Sequence, residues 1–236
     1  MNRSLTNAIR YVLDELLPPV LRDARWFMYP FFYIWYKGNK KVIRLYMDFK
    51  DRAFEMTEEE FIEVYRNIES MARDRPTDLN NACINYMLEN LDPTAKTLMD
   101  VGCGNGYWLN CVNDNNKTLK TTGCDLYDNV ATLKNSDYVK GSIYKLPFAD
   151  NAFDIVTCHH TIEHLREVPS AIEEMKRVAR KQLIIVTPRQ RYYYFTMDHH
   201  LNFYPIAVYL QQAIQIKDNI CKSLQGDWVY IGKLNK

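Results

Sequence analysis

The chain has 236 residues, 47% of them hydrophobic, enough to bury one sizeable core with a small appended segment. Thirty basic side chains against 29 acidic ones leave a net charge of +1, so no global field draws the protein to nucleic acid. The six cysteines lack C-x-x-C spacing and read as reduced thiols of a cytoplasmic protein; the N-terminus lacks the apolar core of a signal peptide, and no charge-free run nears the ~20 residues that span a bilayer.

Residues 1–76 read as a helical, aromatic cap and 77–236 as the main domain. Leu5, Ile9, Val12, Leu13 and Leu16 form one helical stripe, which Pro18 and Pro19 end. From Trp26 to Tyr36, eight of eleven residues are aromatic, and Arg22, Arg25, Lys37, Lys40, Lys41 and Arg44 surround them. Three readings stay open for this run. Its rings could pack as a helical lid on the main core, line an acceptor pocket, or form a patch at a membrane surface. Thr57 and Glu60 make a capping box for a helix with Phe61, Val64, Tyr65 and Ile68 on one face. A further helix begins near Asp78 and stops at Asp92-Pro93.

From residue 96 the rhythm alternates. Strands are predicted at 97–101, 120–124, 137–140, 153–158 and 182–187, with crossover-length segments between them, which implies a parallel sheet with helices on both faces. A helix over 205–214 follows, and then 216–223 and 228–234 flank Leu224-Gln225-Gly226-Asp227, whose glycine suits a hairpin loop. The strand 97–101 runs into Gly102-Cys103-Gly104-Asn105-Gly106, a turn that lets a ligand approach backbone closely. Asp125 closes the second strand about 20 residues further on, where an acid accepts hydrogen bonds from ribose hydroxyls in such sheets.

Taken together, Asp100–Gly106, Asp125, Leu146-Pro147-Phe148 and Phe153-Asp154-Ile155-Val156 resemble the class I S-adenosylmethionine-dependent methyltransferases, nearest to the type 11 small-molecule subgroup. The resemblance covers roughly residues 95–190. It implies a Rossmann-like, mostly parallel seven-stranded sheet ending in an antiparallel hairpin, and S-adenosyl-L-methionine as cofactor. It places Gly102, Cys103, Gly104 and Gly106 along the methionine part of the cofactor, Asp100 near its amino group, and Asp125 on the ribose. Leu126, Ser142 and Ile143 fall to the adenine. Ser142 stands where family members usually carry an acid, so this contact lacks charge assistance. The strand 153–158 delivers His159 toward the cofactor and His160 toward the groove between methyl and acceptor.

Methyl transfer from a sulfonium needs alignment, dryness and sometimes a base. The stretch 192–205 after the fifth strand is expected over the methyl end of the cofactor, with His199 or His200 as base beside Asp198 and packing as the competing role. His164 reads as structural. The adjacent histidine pairs lack the i, i+4 spacing of a helix-borne metal site, and no metal is expected. The function predicted is O-methylation of a small metabolite, sugar or lipid-linked glycan, with peripheral membrane contact through 26–36. The alternatives are C- or N-methylation of a quinone-like or amine acceptor, and a noncatalytic partner subunit of the same fold. A nucleic-acid partner is disfavoured by the charge balance.

Overall fold

The computed structural model describes residues 11–66, 76–127, 133–196 and 198–234. Leu5, Ile9 and Ile68 of the predicted stripes lie outside them. The chain divides into two compact units: Met1–Arg75 with Gln190–Phe203, and Pro76–Arg189 with Tyr204–Lys236. The loop after the fifth strand therefore groups with the N-terminal residues.

The second unit holds one seven-stranded sheet: β1 (Thr97–Val101), β2 (Lys120–Asp125), β3 (Ser136–Lys140), β4 (Phe153–His159), β5 (Ala179–Pro188), β6 (Asn219–Leu224) and β7 (Asp227–Lys233). Their order is β3-β2-β1-β4-β5-β7-β6, with the first five parallel and β7 antiparallel to both β5 and β6. The strands of the centre are apolar on both faces, as a covered parallel sheet requires. Met99, Val156 and Ile185 join one core with helices Val168–Val178 and Ala207–Ile214. Leu98, Ile155 and Ile184, pointing the other way, join a second core with helices Asn81–Glu89 and Tyr107–Asn115.

Several elements of this unit differ from their sequence reading: β6 begins at Asn219, three residues later than predicted, and the helix expected from 205 begins at Ala207. The helix expected from Asp78 begins at Asn81, because the Asn80 carboxamide oxygen accepts the Cys83 N–H at 2.8 Å and fixes the cap there. Strand β5 starts at Ala179, directly out of the preceding helix, three residues before the predicted start.

Among its described residues the first unit has short helices: Pro19–Arg22, Arg25–Trp35, Lys40–Met47, Phe49–Arg52 and Glu58–Arg66. Tyr11–Leu16 forms a π-helical turn, and Pro19 opens the next helix at its first position, where a missing N–H costs nothing. The capping box forms as expected: Thr57 N–H donates to Glu60 Oε2 at 2.9 Å, and Glu60 N–H to Thr57 Oγ1 at 3.2 Å. Met28, Phe32, Tyr36, Tyr46 and Phe195 make one core, and Phe49, Ala53 and Phe61 a smaller one. Among the described residues no helix is long and apolar enough to cross a membrane.

Candidate active site

Strands β1, β2 and β4 end side by side, so their last residues and the turns beyond them share one sheet edge, where parallel α/β sheets bind ligands. The turn after β1 is anchored by Gly102 N–H, which donates to Cys124 O at 2.8 Å. Gly104 has φ +52°, and a β-carbon there would meet nothing within 4 Å, so the backbone borders open space. Gly106, the N-cap of helix Tyr107–Asn115, is required by crowding instead: at φ +77° a β-carbon would lie 2.4 Å from Leu133 Cδ2.

Asp125 stands opposite this turn. Its Oδ2 accepts the Gly104 N–H at 2.8 Å and its Oδ1 the Tyr127 N–H at 3.1 Å. Burial pushes this carboxyl above the usual range, and the backbone donors pull it back in part. The Leu126 N–H is a third backbone donor to this carboxylate, which leaves about one acceptor site for a ligand donor.

Asp100 is buried at the root of the turn. Its Oδ1 accepts the Thr157 hydroxyl at 2.7 Å and lies 3.2 Å from His159 Nδ1. Thr157 Oγ1 in turn accepts Trp108 Nε1–H at 3.2 Å, and the Trp108 ring meets His159 edge-on at 5.3 Å. His159 is thus oriented through Nδ1, while its Nε2 is buried without a hydrogen-bond partner. Neither Thr157 nor Trp108 carries a motif that would have marked it from sequence. Cys103 is buried beside Gly123, and burial pushes its thiol far up, so it stays protonated.

The adenine-side residues are divided. Leu126 is half-buried, whereas the Ile143 side chain lies in the core with Met99 and Val101. Ser142 closes a tight turn, accepting Lys145 N–H on its carbonyl at 3.0 Å and Tyr144 N–H on its hydroxyl at 3.3 Å.

His160 points into different company. Its backbone takes φ +47°, and its ring sits between two buried carboxylates, Nδ1 3.4 Å from Glu163 Oε1 and Nε2 3.8 Å from Asp227 Oδ2. Burial alone would lower its pKa, but Glu163 and Asp227 outweigh it and raise it to about 9. The carboxylates are supported further by Thr187 on Glu163 Oε2 and by Asn80 on Asp227 Oδ2. This is a charge cluster holding β4, β5 and β7 ends together.

In the first unit the loop Gln190–Phe203 carries the other histidine pair. His199, fully buried at φ +55°, lies against the rings of Tyr46 at 4.1 Å and Phe49 at 4.3 Å, and its carbonyl accepts Tyr65 O–H at 2.8 Å. His200 Nδ1 lies 2.8 Å from Gln190 Oε1. Gln190, ten positions earlier and without any sequence signal, orients this ring, and the Asp198 N–H donates to Thr196 Oγ1 at 3.1 Å. Lys50 was equally unmarked. Its Nζ donates to Tyr193 O and lies 4.1 Å over Phe203 and 4.4 Å over Tyr192. Burial draws its pKa down to about 7, against the pull of Asp23.

Residues 99–187 match the family described as the type 11 methyltransferase domain. An uncharacterised methyltransferase of Schizosaccharomyces pombe is 35% identical over 114 residues, covering 42% of this chain and 41% of that protein. A demethylmenaquinone methyltransferase of Staphylococcus aureus is 31% identical over 97 residues, covering 37% of this chain and 40% of that one. The chain thus spans about two-fifths of the length of these relatives. Among solved structures, human N-acetylserotonin methyltransferase with S-adenosylmethionine matches at TM-score 0.58 and 12% identity, over 85% of this chain and 69% of that one. A methyltransferase of Aquifex aeolicus matches at 0.51 and 17%, over 75% and 98%; at such identities the likeness is one of fold. The match to the methyltransferase domain over residues 99–187 and the strand order agree: the fold is that of the class I methyltransferases.

Proposed function

We propose that the chain transfers a methyl group from S-adenosylmethionine to an oxygen of a small metabolite, a sugar or a lipid-linked glycan. The observation that carries the cofactor reading is the pairing of Gly104 with Asp125, an open stretch of backbone faced by a carboxylate that keeps acceptor capacity. These residues fit such a cofactor. When bound, it supplies a methyl already activated on sulfur. The residues of the chain have only to bind, orient and keep water out.

In this reading Asp125 accepts the ribose hydroxyls, and the Gly102–Gly106 backbone follows the methionine part with Cys103 packed behind it. His159, held by Asp100, offers Nε2 to a polar group of the ligand. Left unpaired, that buried nitrogen costs about 1–3 kcal/mol. Leu126, Ser142 and Ile143 border the adenine, the last through its backbone.

The oxygen acceptor is supported by His200. In this reading the His200 ring, oriented through Nδ1 by Gln190, is the base that takes the proton of a hydroxyl as it is methylated. A carbon acceptor on a quinone is the second reading, favoured by the likeness to demethylmenaquinone methyltransferase. Calorimetric titration with S-adenosylmethionine tests the cofactor reading. The wild-type chain should bind, and Asp125→Asn should bind at least about tenfold more weakly, the scale of one charge-assisted hydrogen bond. No binding by the wild type would overturn it.

A further inference from the structure

Helix Arg25–Trp35 carries no charged residue after its first position. One side is core: Met28 and Phe32 are fully buried, with Tyr36 beyond them. A surface helix ordinarily turns polar residues to the other side. Here that side presents Trp26, Phe31, Tyr33 and Ile34, exposed by 72%, 41%, 50% and 77%. Pro30 lies among them, and Val20 of the preceding helix is 78% exposed. An apolar face this continuous is rare on a protein surface without a partner.

The charges beside it point to one kind of partner. Between residues 20 and 47 the sequence has six basic side chains and one acid, Asp23, in a chain that is otherwise balanced. Arg22 is buried on Phe195 O, and Arg25 and Arg44 are paired with Asp48. Lys37, Lys40 and Lys41, in the turn and helix start that follow the apolar face, are exposed. Trp and Tyr rings beside free lysines suit the headgroup layer, where rings lie at the apolar boundary and ammonium groups meet lipid phosphates. A second copy of the chain fits less well, since a two-fold axis through this face would bring the same lysines together.

We propose that the exposed face of helix Arg25–Trp35, with Lys37, Lys40 and Lys41, docks the protein on an anionic bilayer surface. The helix lies along the interface and does not span it. The docking does not depend on which acceptor is methylated, and it is read without cofactor.

Co-sedimentation with phosphatidylcholine vesicles, with and without phosphatidylserine, tests it. The wild-type chain should partition at least about tenfold better onto the anionic vesicles and be released by salt, as screened charge attraction requires. Trp26→Ser with Ile34→Ser, and separately Lys37→Glu with Lys40→Glu and Lys41→Glu, should each abolish that gain while leaving circular dichroism and melting unchanged. Wild-type binding that either variant retains overturns the proposal. So does failure to bind anionic vesicles, and light scattering would then show whether the face joins two copies instead.

Discussion

His159–His160 ends a buried strand among carboxylates, whereas His199–His200 lies in a loop among aromatic rings. The backbone solution is the same in both pairs. One member takes a left-handed φ, +47° at His160 and +55° at His199, so that two adjacent rings leave the chain in different directions. The neighbour of that member has its Nδ1 beside an oxygen, Asp100 for His159 and Gln190 for His200. The media differ. His160 lies between opposite charges that raise its pKa to about 9, whereas His199 lies among aromatic rings. Adjacent histidines thus take different neighbours while both stay largely buried.

The comparison breaks most readily at His160. His160→Leu leaves Glu163 and Asp227 buried without their cation, and should cost about 3–5 kcal/mol in urea unfolding; a loss under about 1 kcal/mol would mean the cluster is not an ion cluster. His200→Ala should lower turnover by about 100-fold, the lower range for a lost base, with S-adenosylmethionine affinity unchanged. Equal loss of both would place His200 among the packing residues with His199.

Alkaline pH separates the pairs further. The pKa of His160 is raised from its ordinary 6.5 to about 9, so its contribution to stability is complete below about pH 6.5. It drains as pH rises and is gone above about 9. Melting followed from pH 6.5 to 9.5 should therefore fall more steeply in the wild type than in His160→Leu, and parallel curves would contradict the assignment. The smallest effect is expected at the other enclosed ring. His199→Phe keeps shape and ring contacts with Tyr46 and Phe49, and should cost about 1 kcal/mol or less.

Regular periodicity made the sheet readable from sequence. The apolar strands, the glycine turn and Gln225-Gly226 give local signals that tertiary packing reinforces, and β1 forms over Thr97–Val101 as predicted. The capping box of Thr57 and Glu60 is legible for the same reason: both partners lie within one turn. What escaped the sequence is contact at a distance. Thr157, Trp108, Gln190 and Lys50 take their places only once strands and loops have come together, and polar residues of those types occur everywhere. The early strand start at Ala179 was hidden because Ala-Arg-Lys-Gln reads as a continued helix.

The inclusion of Gln190–Phe203 in the N-terminal unit has a consequence for biosynthesis. Arg22 finds the Phe195 carbonyl 173 positions later, and Asp23 the Tyr194 N–H 171 positions later. At about 5–20 residues per second, the first helices leave the ribosome on the order of ten seconds or more before the loop that completes their core. During that interval Met28, Phe32, Phe49 and their neighbours are an unfinished apolar surface, a natural client for a chaperone. The unit begun first therefore waits for residues 190–203 before its core can close.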